Sequence, residues 1–294
     1  LEDKSQNKVI IEEKPKLNIW FNVGYILFSS KKFDYFNKFK TFKDMLKFSA
    51  NLGLLWSELD LISAIRAASK AGFDGVEFHW PYEISPINLK MVLDETNIPA
   101  VSLNTRRGNS LKNENGLAAL IGRSKDAREG IDEAISYARV INCDMIHVMA
   151  GVAPDKTEND STFRENLLYA SEEAERYNKT ILIEVLNPVD APGYFLNSFG
   201  KATETIANIH SKNIKLIFDC YHFQMLRLDV KSLFLKCFDY IGHIQIASFP
   251  ERNEPNFNSQ SYIEILNFFQ TSGWSGFIGA EYCPRTTTDE GMSW

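Results

Sequence analysis

The 294-residue chain has little of what several large protein classes require. Its four cysteines, Cys143, Cys220, Cys237 and Cys283, are scattered without a C-x-x-C pair, so reduced thiols in a cytoplasmic protein are expected rather than a disulfide framework or a zinc cluster. No apolar run reaches the length of about 18 to 20 residues needed to span a bilayer, and a soluble protein is expected. An excess of cations is also missing, since 32 Lys and Arg stand against 38 Asp and Glu, a net charge of −6. Neither nucleic acid nor a membrane is therefore an expected partner. Five histidines are few for a multinuclear zinc site.

Residues 1–45 differ from the remainder. They begin with a charged, aperiodic stretch and continue rich in Lys, Asn and Phe. Acidic residues at 2, 3, 12 and 13 fit neither a secretory nor a mitochondrial leader. This segment is read as an N-terminal extension of unknown role, and 46–294 as one domain.

From Phe48 onward strand and helix patterns alternate. Strand-like runs occur at 48–56, 75–81, 99–105, 145–151, 181–188, 216–222, 243–250 and 276–284. Helical periodicity covers 59–73, 87–96, 128–143, 161–178 (with Ser161 as cap), 198–211, 224–237 and 261–272. Eight alternations in a chain of this length predict an α/β fold, a (β/α)8 TIM barrel, with a short or truncated last helix in DEGMSW.

The last four strands each carry a metal-type oxygen ligand near their C-terminal ends: Glu184, Asp219, Gln245 and Glu281. A strand buried on both faces has no packing use for a carboxylate there, because an unpaired buried charge costs several kcal/mol. Four in successive strands predict a ring of ligands at one mouth of the barrel. Hard oxygen donors suit Mg²⁺ or Mn²⁺, and three carboxylates around a dication leave a site close to neutral.

The segments AGFDGVEFHWPYE, SLNTRRG, GLAALIGR, NCDMIHVMAGV, ILIEVLNP, FDCYHFQ, HIQIASFPERNEP, GAEYCPR and DEGMSW lie in order along roughly four-fifths of the chain. Through them the sequence resembles the hydroxypyruvate isomerase family of the xylose-isomerase-like barrel superfamily. The resemblance implies reversible isomerisation of hydroxypyruvate and 2-hydroxy-3-oxopropanoate (tartronate semialdehyde). It also implies Glu184 and Glu281 as proton donor and acceptor, and a divalent metal held by Glu184, Asp219, Gln245 and Glu281. The expected partner is a small hydroxy-keto acid, with a homo-oligomer as the assembly considered.

Other polar residues converge on the same mouth. Arg252 in FPERNEP is the leading partner for a substrate carboxylate, with Arg106 and Arg107 as alternatives, because a planar guanidinium matches a carboxylate through two parallel hydrogen bonds. His222 in D-x-x-H, His147 and Glu77 are further substrate-binding candidates; His79 and His243 are weighed as core or supporting residues. GLAALIGR (116–123) is a lid candidate. Competing functions are a metal-dependent ketose isomerase or 3-epimerase of the same barrel, an apurinic endonuclease with a zinc cluster, and an inactive barrel fragment.

Overall fold

The computed structural model describes residues 46–256 and 259–292; the expected N-terminal extension lies outside them. Eight parallel strands close in sequential order. They are β1 (Lys47–Asn51), β2 (Gly75–Phe78), β3 (Ala100–Asn104), β4 (Met145–His147), β5 (Thr180–Glu184), β6 (Ile214–Asp219), β7 (Ile241–Ile246) and β8 (Phe277–Ala280). Between them run α1 (Leu61–Ala71), α2 (Pro86–Thr96), α3 (Ser124–Ile141), α4 (Thr157–Glu175), α5 (Phe199–Ile209), α6 (Cys220–Met225), α7 (Val230–Cys237) and α8 (Gln260–Thr271). The short α9 (Thr288–Gly291) follows β8. No helix among the described residues is long and apolar enough to cross a membrane.

Local signals fix the element ends. Asp60 and Ser85 accept from Ser63 N and Asn88 N to start α1 and α2, and Gly72 and Asn97 close them in left-handed conformations. Some expected element bounds are not met. Helix α4 starts at Thr157, so Ser161 lies inside it and not at its cap. The run 216–222 is not one strand, because Asp219 Oδ1 accepts from Tyr221 N and His222 N and turns the chain into α6. The helix expected over 224–237 is accordingly divided between α6 and α7.

Short α9 ties the segment after β8 to the turn that follows β1. Thr288 Oγ1 accepts from Trp56 N at 2.6 Å, and Asp289 Oδ1 accepts from Trp56 Nε1 at 2.9 Å. The lid candidate is instead packed down. Leu117, Ala118 and Ala119 are buried, Ala119 N donates to Ala150 O at 2.7 Å, and Asn159 and Asn166 donate to the carbonyls of Ala119 and Ala118. The first half of the segment is thus held by buried hydrogen bonds, while Ile121 and Gly122 are exposed.

Candidate active site

Alternation along each strand sends every second side chain inward, and here the inward positions are unusually polar. Below the mouth, Glu77 of β2 is buried and fully engaged. Its Oε1 accepts from Ser49 Oγ at 2.5 Å and lies 2.9 Å from His243 Nε2, and its Oε2 accepts from Gln245 Nε2 at 2.8 Å. Burial alone would raise its carboxyl, but His243 and these hydrogen bonds outweigh it and hold Glu77 below the ordinary carboxylate value. Gly279 of β8 makes room for the cluster, since a Cβ there would sit 2.2 Å from Glu77 Oε1.

One layer higher lie the strand-end carboxylates. Glu184 ends β5, Asp219 ends β6, Gln245 pairs in register with Asp219, and Glu281 follows β8 directly. All four are buried. Glu184 Oε1, Asp219 Oδ2 and Gln245 Oε1 have no hydrogen-bond partner among the described residues. Glu281 is held differently, accepting from Arg252 Nη2 at 2.8 Å on Oε1 and from Asn51 Nδ2 at 2.9 Å on Oε2. Asn51 is oriented in turn by accepting from Gly53 N on Oδ1.

Burial, followed by the charges of Glu281 and Asp219, raises the Glu184 carboxyl well above its ordinary value. Burial likewise pushes Glu281 up to about 8, against the lowering influence of Arg252. Burial lowers His147 to about 3 and His222 and His79 to about 4, so these rings are neutral near pH 7. The approaches of His147 Nδ1 to Glu184 Oε2 (3.7 Å), His222 Nε2 to Asp219 Oδ2 (3.7 Å) and His79 Nε2 to Glu281 Oε1 (3.9 Å) are thus contacts of neutral imidazoles.

The remaining candidates divide. Arg252 reaches the site from the loop after β7, with its guanidinium 5.1 Å from the Tyr221 ring and Nη1 4.0 Å from Asp190 Oδ2. It adopts φ 56°, and its backbone is held by Ser248 O and by Cys283 N. Arg107 instead lies over the Trp80 ring at 5.3 Å, on the wall of an open cleft of about 860 Å³. Arg106 pairs with Glu133. Asn51 and Asn187, both at the mouth, were not singled out in sequence, where an asparagine after a strand carries only a turn signal.

Three buried, unpartnered oxygens of hard-donor type are what a divalent cation requires and what a folded protein otherwise avoids. Glu184, Asp219 and Gln245 therefore fit such an ion, whereas both oxygens of Glu281 are engaged by Arg252 and Asn51. Ligand-type atoms of Glu184, Asp219 and His222 also lie within 4.8 Å of one another.

A parallel barrel with carboxylates gathered at its C-terminal mouth defines a barrel enzyme whose chemistry sits at the strand ends. Residues 65–294 match the xylose isomerase-like TIM barrel family. Among curated relatives, the 2-oxo-tetronate isomerase of Cupriavidus necator is 39% identical over 253 residues, covering 85% of this chain and 97% of its own length. The hydroxypyruvate isomerase of Escherichia coli is 34% identical, covering 85% and 98%. A solved structure described as AP endonuclease, family 2, from Brucella melitensis superimposes with a TM-score of 0.82 at 32% identity, covering 85% of this chain and 98% of that one. This chain belongs to the xylose isomerase-like TIM barrel family and is an enzyme of the isomerase class.

Proposed function

We propose that the enzyme interconverts a small 2-oxo-3-hydroxy acid and its 3-oxo-2-hydroxy isomer, with hydroxypyruvate and 2-hydroxy-3-oxopropanoate as the three-carbon pair. The observation that carries this reading is the pair of buried carboxylates, Glu184 and Glu281, both held above their ordinary values beside unpartnered ligand oxygens. Relatives named for hydroxypyruvate and for 2-oxo-tetronate support the class, since both names denote 2-oxo acids.

In the forward direction one glutamate removes a proton from C3 and the other delivers a proton to C2, while the hydroxyl proton passes from O3 to O2. The two glutamates form an interchangeable pair for direction, and general acid–base help of this kind contributes about 10²- to 10⁴-fold. A divalent cation, Mg²⁺ or Mn²⁺, held by Glu184, Asp219, Gln245 and Glu281 would stabilise negative charge on the two adjacent substrate oxygens. Arg252 binds the substrate carboxylate, for which it exchanges its contact with Glu281. His222 and His147 offer ring nitrogens to substrate oxygens. Glu77 serves Gln245 and not the substrate, because its oxygens are already engaged.

The endonuclease description of the Brucella neighbour is less well supported for this chain. The chain has five histidines, few for a zinc cluster, and a net charge of −6, without the cationic excess that DNA binding needs. The test is proton NMR of purified protein with hydroxypyruvate, 2-oxo-tetronate and a panel of neutral ketoses, with and without Mg²⁺ or Mn²⁺. Metal-dependent conversion of a 2-oxo acid is expected. Turnover of neutral ketoses alone would transfer the enzyme to ketose isomerases or epimerases.

A further inference from the structure

Asn187, three residues beyond β5, is fully buried, and hydrogen bonding fixes which way its amide faces. Its Oδ1 accepts from Val189 N and from Asp190 N, both at 3.0 Å. The other amide atom is therefore Nδ2, which meets Asp190 Oδ2 at 3.0 Å and His222 Nδ1 at 2.7 Å. The backbone N–H of Asn187 points at the same Nδ1 from 3.2 Å. A backbone N–H can only donate. With donors on both approaches, Nδ1 accepts, and in a neutral imidazole the proton then sits on Nε2. That Nε2 is buried, has no partner among the described residues, and faces Glu184 Oε1 at 3.8 Å and Asp219 Oδ2 at 3.7 Å.

We infer that Asn187 is a positioning residue: it holds His222 in the Nε2–H tautomer, so that His222 donates a hydrogen bond to a substrate oxygen and is withheld from metal ligation. The inference rests on the proposed function for the identity of the substrate oxygen, and on geometry alone for the tautomer. It separates His222 from Glu184 and Asp219, although the three lie close enough to share an ion. A nitrogen that carries a proton has no lone pair in the ring plane to give to a cation. The device also sets the donor at the boundary between two strands: Asn187 follows β5, and His222 lies in α6 after β6.

The test is nitrogen-15 NMR of histidine-labelled protein, with the His222 signals assigned by their loss in His222→Gln. The inference predicts an unprotonated Nδ1 and a protonated Nε2, both retained when Mg²⁺ is added. A protonated Nδ1 in the wild type, or loss of the Nε2 proton on adding Mg²⁺, overturns it. The double variant Asn187→Asp/Asp190→Asn replaces the side-chain donor with an acceptor and keeps the number of carboxylates constant. It is expected to shift the proton toward Nδ1, against the one backbone donor that remains, to lower kcat by roughly tenfold, the scale of one hydrogen bond, and to raise Mg²⁺ affinity because Nε2 is then free to ligate. A wild-type tautomer and wild-type kcat in that variant would also overturn the inference. If that variant does not fold, the wild-type spectra with and without Mg²⁺ decide the question. The predicted tautomer in a protein that turns over no 2-oxo acid would count against the proposed function and leave the tautomer assignment standing.

Discussion

Gln245 donates its Nε2 to Glu77 Oε2 across 2.8 Å, which leaves Gln245 Oε1 buried and turned away from the only side-chain bond the residue makes among the described residues. Glu77 thereby decides which end of the amide a cation would meet. Groups that orient ligands in this way cost about 10- to 100-fold in metal affinity when removed. Glu77→Ala, which removes the acceptor, should therefore weaken Mn²⁺ binding by that amount in calorimetry without touching substrate. Wild-type Mn²⁺ affinity in Glu77→Ala would show that Gln245 needs no such support.

Metal-free protein should lose stability between about pH 6.5 and 8. Glu184 and Glu281 have folded-state values raised above the ordinary 4.5, so what they contribute is complete below the unfolded value and fades as pH rises through the folded one. The buried histidines act oppositely, being lowered from 6.5, and their effect is complete above 6.5. In the upper window only the glutamates act, at a scale on the order of 2 kcal/mol. Added Mg²⁺ should raise Tm more at pH 8 than at pH 6.5. Equal stabilisation at both pH values would mean that the carboxylates are not the groups meeting the ion.

Arg252→Lys should already be harmful on a 2-oxo acid, because the charge stays while the planar two-pronged geometry is lost. Arg252→Ala should cost about 1.5 to 3 kcal/mol in kcat/KM, the range for a charged hydrogen bond. A neutral ketose should respond much less to either change. Equal losses on both substrates would assign Arg252 to holding Glu281, its partner at 2.8 Å, and not to substrate recognition.

Much of this architecture was legible in sequence because the signals were strong and repeated. Apolar strands that end in Glu184, Asp219, Gln245 and Glu281 announce a barrel mouth, since buried charge is costly without a task. Element ends were less legible. The run LIFDCYH is apolar enough to continue as a strand, yet Asp219 caps α6 with one oxygen and keeps the other unpartnered. The supporting asparagines were hidden for a different reason. Asn51 and Asn187 act through neighbours brought in by the fold, Glu281 at a separation of 230 residues and His222 at 35. No local pattern encodes either pairing.

The central claim is that Glu184 and Glu281 carry the proton, and the most direct measurement is turnover of Glu184→Gln and Glu281→Gln on hydroxypyruvate beside their Mn²⁺ affinities. Each substitution keeps an oxygen for metal and removes the proton carrier, so kcat should fall at least about 10²-fold while the protein stays folded and binds Mn²⁺. Near wild-type turnover in either variant would contradict the two-glutamate account.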